Sequence, residues 1–196
     1  GAHVQGSPGQ LTSRGNKQRT TQGTRPPRLW IENTILPALL QLSTTTDDRD
    51  ILDSALIAMG RSAATDQHDL VRDTATRLLA HRELSVQAAA ALGLGILDDH
   101  PSEVLLTQLL QDSSTGRQAI GGGQVPWLIR AFSAIGLGLI GSDGAVDALL
   151  AAVSDLPDSE RDVKACSFAA LGLLDHGSPR RDDVIDALLG MVTDDS

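Results

Sequence analysis

At 196 residues, with 41% hydrophobic and 21% charged side chains, the chain is long enough for one domain with a sizeable core, or for two small ones. Aromatic residues make up only 2%, and alanine, leucine and glycine dominate, which favours packed helices over a β-sandwich or barrel. The one cysteine, Cys166, excludes an internal disulfide framework.

The net charge of −9 is unevenly divided along the chain. Residues 1–28 hold five of the 16 basic side chains and no acidic one. Residues 29–196 therefore carry 11 basic and 25 acidic side chains, a net charge of −14, which opposes the phosphate backbone of nucleic acids. No apolar run reaches the length of a membrane span, because Arg130 interrupts the best candidate. We therefore expect neither nucleic-acid binding nor membrane insertion.

The first 28 residues are nearly free of apolar side chains and rich in glycine, glutamine, threonine, serine and arginine. Such a segment cannot bury enough surface to offset its chain entropy, which predicts a disordered basic tail or linker over residues 1–28. The chain begins without methionine and ends abruptly at VTDDS, so we expect a fragment of a larger polypeptide with additional repeats or domains.

Two kinds of segment alternate from Leu29 onward. The A segments are alanine-rich helical runs that carry Ala-[Met/Leu/Ile]-Gly, at residues 54–60, 88–97, 131–140 and 167–174, with their glycines at Gly60, Gly93, Gly136 and Gly172. The B segments each carry a Leu-Leu pair, at residues 35–42, 70–80, 103–111, 145–153 and 184–192. Successive Leu-Leu pairs are 39, 31, 40 and 39 residues apart, a period typical of helical solenoids.

This alternation predicts an all-α fold, a right-handed α-solenoid of antiparallel helix pairs. The repeat domain spans residues 29–196, with a half repeat at 33–43 and helix pairs at about 48–80, 84–111, 126–154 and 159–193. Residues 112–125, which include Gly121–Gly123, are interpreted as a flexible glycine-rich insertion. In the first complete B segment, helical spacing predicts a buried face of Leu70, Val71, Ala75, Leu78 and Leu79.

The stretch GLGLIG, Gly136 to Gly141, matches the G-x-G-x-x-G pattern of dinucleotide-binding turns. Such a turn follows a buried strand and opens a helix, but the preceding WLIRAFSAI predicts a helix with Arg130 turned outward. We interpret these glycines as packing residues that let adjacent helices approach closely. Replacing Gly136 with leucine is expected to overpack that contact.

Three stretches resemble HEAT-like repeats, particularly the short variety found in phycobilisome lyases: QAAAALGLGILDD, RAFSAIGLGLIGSDGAVDALL and KACSFAALGLLDHGSPRRDDVIDALL. The resemblance covers residues 33–196 and implies a HEAT-like superhelix that serves protein binding or scaffolding without catalysis. The alternative is a helical-repeat enzyme or enzyme subunit of bilin-lyase type. That function would require tyrosine, tryptophan, arginine and histidine along a tetrapyrrole groove, and the chain is poor in these residues.

The residue patterns of common catalytic and metal sites are missing from the sequence. No two histidines are spaced i, i+4, none lies beside a cysteine, and no G-x-S-x-G occurs. Paired aspartates occur at 47–48, 98–99, 182–183 and 194–195, all at predicted helix boundaries, where aspartate caps helices. We read Cys166 as a small buried hydrophobe. No catalytic residue, cofactor or metal is expected.

The outward positions of the B segments are the candidate partner-binding residues. In solenoids the second helix of each pair lines an extended concave surface, and the buried positions leave a mainly acidic ridge. Its members are Asp69, Arg72, Asp73, Glu103, Gln108, Asp147 and Asp186. We expect a protein or peptide partner that is basic or polar, steered by charge and weakened by salt.

Overall fold

The computed structural model describes residues 28–174 and 178–194, and within these ranges it contains helices and no strand. Of the predicted tail, only Arg28 falls inside the described residues. The helices are α1 Arg28–Trp30, α2 Leu36–Thr45, α3 Arg49–Ser62, α4 His68–Leu78, α5 Leu84–Leu97, α6 His100–Leu110, α7 Ser114–Ala119, α8 Trp127–Ile140, α9 Asp143–Asp155, α10 Arg161–Leu171 and α11 Arg181–Asp194. A π-helical stretch, Ile31–Ile35, joins α1 to α2. The all-α prediction is confirmed.

Each predicted segment corresponds to a helix. The A segments coincide largely with α3, α5, α8 and α10, called the A helices below, and the B segments largely with α2, α4, α6, α9 and α11, called the B helices. The A helices contact one another in chain order, α3 with α5, α5 with α8 and α8 with α10. The B helices pack on them: α2 on α3, α4 on α5, α6 on α5 and α8, and α9 on α8 and α10. The core therefore lies between the A and B helices.

The first N–H groups of a helix have no backbone acceptor within the helix, and side chains at the helix starts accept hydrogen bonds from them. Asp48 caps α3 by accepting hydrogen bonds from the N–H groups of Asp50 and Ile51, and Asp99 caps α6 through the N–H of Ser102. Ser142 caps α9 through the N–H of Ala145. The capping role predicted for the paired aspartates is thus confirmed at Asp48 and Asp99, while Asp195 lies outside the described residues.

Glycines lie where the A helices touch. A Cβ atom on Gly60 would lie 2.6 Å from the carbonyl oxygen of Gly93, and one on Gly138 would lie 2.5 Å from that of Ala170. A Cβ atom on Gly95 would overlap the Cα of Gly136. Gly136 is at a tight contact, as predicted, and so is Gly93. Both face the preceding A helix, whereas Gly60, Gly95 and Gly138 face the following one.

The GLGLIG stretch ends a helix instead of opening one. Gly136 and Gly138 lie inside α8, and Gly141 is the residue after its end, with the left-handed φ of 63° that glycine adopts without strain. The stretch therefore lacks the strand-turn-helix geometry that a dinucleotide phosphate requires.

Two predicted orientations are wrong. Arg130 is 6% exposed instead of facing outward, because its Nε donates to the carbonyl oxygen of Leu110 and its Nη1 lies 2.8 Å from Glu160 Oε1. Leu70 is 53% exposed, so the buried face of α4 consists of Val71, Thr74, Ala75 and Leu78.

The glycine-rich insertion is more structured than predicted. It contains the helix α7, and the carboxylate of Asp112 accepts hydrogen bonds from the Arg117 guanidinium and from the N–H of Val125. The bonds from Arg117 are the main reason that the pKa of Asp112 lies below its usual range. The insertion is therefore closed by an ion pair at neutral pH.

Cys166 is half-buried, so the prediction that it is a small buried hydrophobe is wrong in its burial. Burial, and then the negative charge of Asp162, raise the pKa of its thiol. The thiol is accordingly protonated at neutral pH and poorly nucleophilic.

Candidate protein-binding surface

Charged side chains link the N-terminal ends of successive B helices. Between α4 and α6, Arg72 donates to Asp69 on its own helix and to Asp99 at the start of α6. Nδ1 of His68 lies 3.8 Å from the Asp99 carboxylate. Burial alone would raise the pKa of Asp99, but hydrogen bonding from Ser102 and the charge of Arg72 outweigh it and hold that pKa below its usual range. This pair therefore remains ionised and ties α4 to α6.

Between α6 and α9 the link is Glu103. Its side chain is 14% exposed, and its Oε1 lies so close to the backbone of Gly144 that a Cβ atom there would be 2.5 Å away. Oε2 of Glu103 lies 3.5 Å from Nδ1 of His100. Further along α6, Oε1 of Gln108 accepts a hydrogen bond of 2.6 Å from the Ser113 hydroxyl. Glu103 therefore packs against the first turn of α9, and Gln108 joins α6 to the segment that follows it.

Between α9 and α11 the link is Arg180, which directly precedes α11. Its Nη2 donates to Asp147 at 2.7 Å, and its Nε donates to Asp183 at 3.0 Å. Its Nη1 lies 3.9 Å from Asp143. The hydrogen bond with Asp147 is the main reason that the pKa of Arg180 is raised. The guanidinium thus neutralises only part of a cluster of carboxylates.

The seven predicted residues divide into two groups. Asp69, Asp73, Asp147 and Asp186 are exposed. Arg72, Glu103 and Gln108 are half-buried. Arg72 and Gln108 are hydrogen-bonded within the fold, and Glu103 packs against Gly144, so these three side chains are less accessible to a partner.

We call the surface along these helix ends the acidic strip. It runs across α4, α6, α9 and α11, with eight carboxylates and two arginines, a net charge of −6 with neutral histidines. Its members are His68, Asp69, Arg72, Asp73, Asp99, His100, Glu103, Asp143, Asp147, Arg180, Asp183 and Asp186. Carboxylates at this density attract ammonium and guanidinium groups.

Sequence reasoning missed the basic residue that completes the strip at α11. Arg180 lies in the turn before the helix, outside the helical pattern from which the outward positions were derived. The sequence offered one signal, the Ser178-Pro179 pair that precedes the final B segment, since Oγ of Ser178 accepts from the N–H of Arg180 in that turn. Asp99 was identified only as a cap, although it also binds Arg72.

Two kinds of functional feature are missing from the described part of the chain. No group of three histidine, cysteine, aspartate or glutamate side chains there could hold a metal ion. None of the described helices is both long and apolar enough to cross a membrane.

Comparison with known proteins identifies no family. No protein-family model matches the chain, and no curated protein is significantly similar to it.

Proposed function

We propose that this chain is a non-catalytic protein-binding or scaffolding module, built as a right-handed α-solenoid of HEAT-like helix pairs. The acidic strip carries this proposal, because it crosses four successive B helices and keeps exposed carboxylates on α4, α9 and α11. A surface of this length suits a partner that contacts several helix pairs at once.

The chain-order contacts support the solenoid. Gly60, Gly95 and Gly138 each meet the next A helix, so one kind of close contact recurs three times. Each repeat contributes an A helix to one row and a B helix to the other, as stacked helix pairs do.

The partner we propose is an extended peptide segment that carries lysine or arginine. Its ammonium and guanidinium groups would bind carboxylates of the acidic strip, in which eight carboxylates are present for two arginines. Asp73, Asp147 and Asp186 are the residues that we expect to contribute most, because each is exposed on a different B helix. Such binding is steered by charge and weakens as salt screens it.

The test uses a fluorescein-labelled peptide of alternating lysine and glycine, with fluorescence anisotropy as the readout. Changing Asp73, Asp147 and Asp186 together to lysine is expected to weaken binding by at least tenfold at low salt, since three attractions become repulsions. The fold of the variant is checked by circular dichroism.

The matched control changes three exposed aspartates outside the strip, Asp47, Asp50 and Asp158, to lysine. It alters the net charge of the chain by the same amount, so it reports the part of the effect that is not local. If both variants lose the same affinity for the peptide, or if the strip variant loses none, the peptide does not bind at the acidic strip.

A further inference from the structure

A pocket of about 350 Å³ lies beside the acidic strip, between the C-terminal ends of α8 and α10, and we call it the α8–α10 pocket. Leu139 and Ile140 line it from the end of α8, Leu174 from the segment after α10, and Pro179 from the turn before α11. Leu139 is 44% exposed, so the apolar wall that it forms reaches the surface of the protein. The pocket has room for one long side chain.

Backbone atoms also line the pocket, because two of its lining residues, Gly138 and Gly141, have no side chain. The last carbonyl groups of a helix have no N–H donor within that helix. At the end of α8, the N–H of Gly141 donates to the carbonyl oxygen of Leu137. The carbonyl groups of Gly138, Leu139 and Ile140 therefore receive no donor from α8 itself. The pocket thus combines apolar walls with carbonyl oxygens that can accept hydrogen bonds.

Carboxylates of the acidic strip lie next to the pocket. Pro179, which lines it, directly precedes Arg180. The guanidinium of Arg180 forms ion pairs with Asp143, Asp147 and Asp183. Three negative charges and one positive charge leave a net charge of −2 at this group. The surroundings of the pocket therefore favour a cationic group.

We propose that the α8–α10 pocket binds the side chain of one lysine of the peptide, an inference that rests on the proposed function. The aliphatic stem of the lysine packs on Leu139, Leu174 and Pro179, as such stems do on apolar surfaces while the charged head keeps polar partners. The ammonium donates hydrogen bonds to carbonyl oxygens at the end of α8. The bound lysine thereby fixes the register of the peptide on the acidic strip.

The carbonyl oxygens make this a site for lysine in preference to arginine. An ammonium is compact, and its three donors can turn toward carbonyl oxygens, whereas the planar guanidinium is best matched by a carboxylate. Trimethylation of lysine keeps the positive charge but removes every N–H donor. A trimethylated peptide is therefore still attracted by the charge of the strip, but it loses the hydrogen bonds in the pocket.

The test compares the fluorescein-labelled lysine–glycine peptide with the same peptide carrying trimethyl-lysine, by fluorescence anisotropy. The parent is expected to bind the unmodified peptide about tenfold more tightly, as the loss of charge-assisted hydrogen bonds implies. Carboxylates of the strip also accept hydrogen bonds from ammonium groups, so a variant must assign this preference to the pocket.

Leu139→Trp fills the pocket from an exposed position and is expected to remove most of the preference for the unmodified peptide. The matched control is Leu84→Trp, which changes a comparably exposed leucine at the start of α5 and should keep the preference of the parent. Circular dichroism checks the fold of both variants. Backbone amide chemical shifts of Gly138, Gly141 and Ser178 report on the pocket in the parent without any substitution, and they should move more with the unmodified peptide.

Equal affinity of the parent for the two peptides would overturn the lysine pocket and leave peptide binding at the strip intact. A preference that Leu139→Trp retains, or amide shifts at the pocket that stay unchanged, would also overturn it. A parent that binds neither peptide would instead overturn the proposed function, and this inference with it.

Discussion

Gly95→Ala is expected to lower the free energy of unfolding by about 3 kcal/mol, although alanine is the better helix former. The added methyl group would overlap the Cα of Gly136, and backbone atoms cannot move aside as a flexible side chain can. The helices α5 and α8 would have to separate, which would loosen the buried contacts on both sides. Urea denaturation followed by circular dichroism measures the loss.

Substitutions at two other glycines are compared with Gly95→Ala. A methyl group on Gly93 would lie 3.0 Å from the carbonyl oxygen of Leu56, so Gly93→Ala should cost less, about 1 kcal/mol. Among the described residues no atom lies within 4 Å of a Cβ atom placed on Gly190 in α11, and Gly190→Ala should leave stability unchanged or raise it by up to about 1 kcal/mol. If Gly95→Ala proves as stable as Gly190→Ala, the close approach of α5 and α8 is wrong.

Arg130→Met is expected to destabilise the fold by about 2–3 kcal/mol. The guanidinium is buried, and it is the donor to the Leu110 carbonyl at the end of α6 and the ion-pair partner of Glu160. Methionine fills much of the same volume but leaves the carbonyl without that donor. Glu160 is one-third exposed and can turn to water, so the loss should be smaller than for a fully buried ion pair.

Arg161→Met is the control for this substitution, because Arg161 is an exposed cation at the start of α10, directly after Glu160. Its effect should stay within about 0.5 kcal/mol. If Arg130→Met and Arg161→Met have the same free energy of unfolding, the buried contacts of Arg130 contribute little to stability.

The sequence predicted the helices well because the helical period of 3.6 residues can be seen within each segment by itself. The repeat then shows the same two kinds of segment again. It could not settle which glycine faces which neighbour. Gly93 and Gly95 are two residues apart, hence about 200° apart around the helix, and they meet helices on opposite sides. An alignment on Ala-Leu-Gly cannot tell these sides apart.

Long-range polar contacts were the main source of error. An arginine in an apolar helical run is expected to face water, but the last carbonyls of α6 lack helical partners, and Arg130 supplies a donor from 20 residues away. Within the acidic strip, Arg72 meets Asp99 across 27 residues and Arg180 meets Asp147 across 33. These pairs join neighbouring repeats, and a pattern within one repeat does not contain them.

The most direct test of the proposed function is to map where the lysine–glycine peptide binds, by following backbone amide chemical shifts of the isotope-labelled protein during a titration. We predict that the largest shifts fall in the first two turns of α4, α6, α9 and α11, along the acidic strip, and that they diminish as salt is added. Shifts confined to the A helices or to the insertion at residues 112–125, with the strip unchanged, would contradict the proposed function.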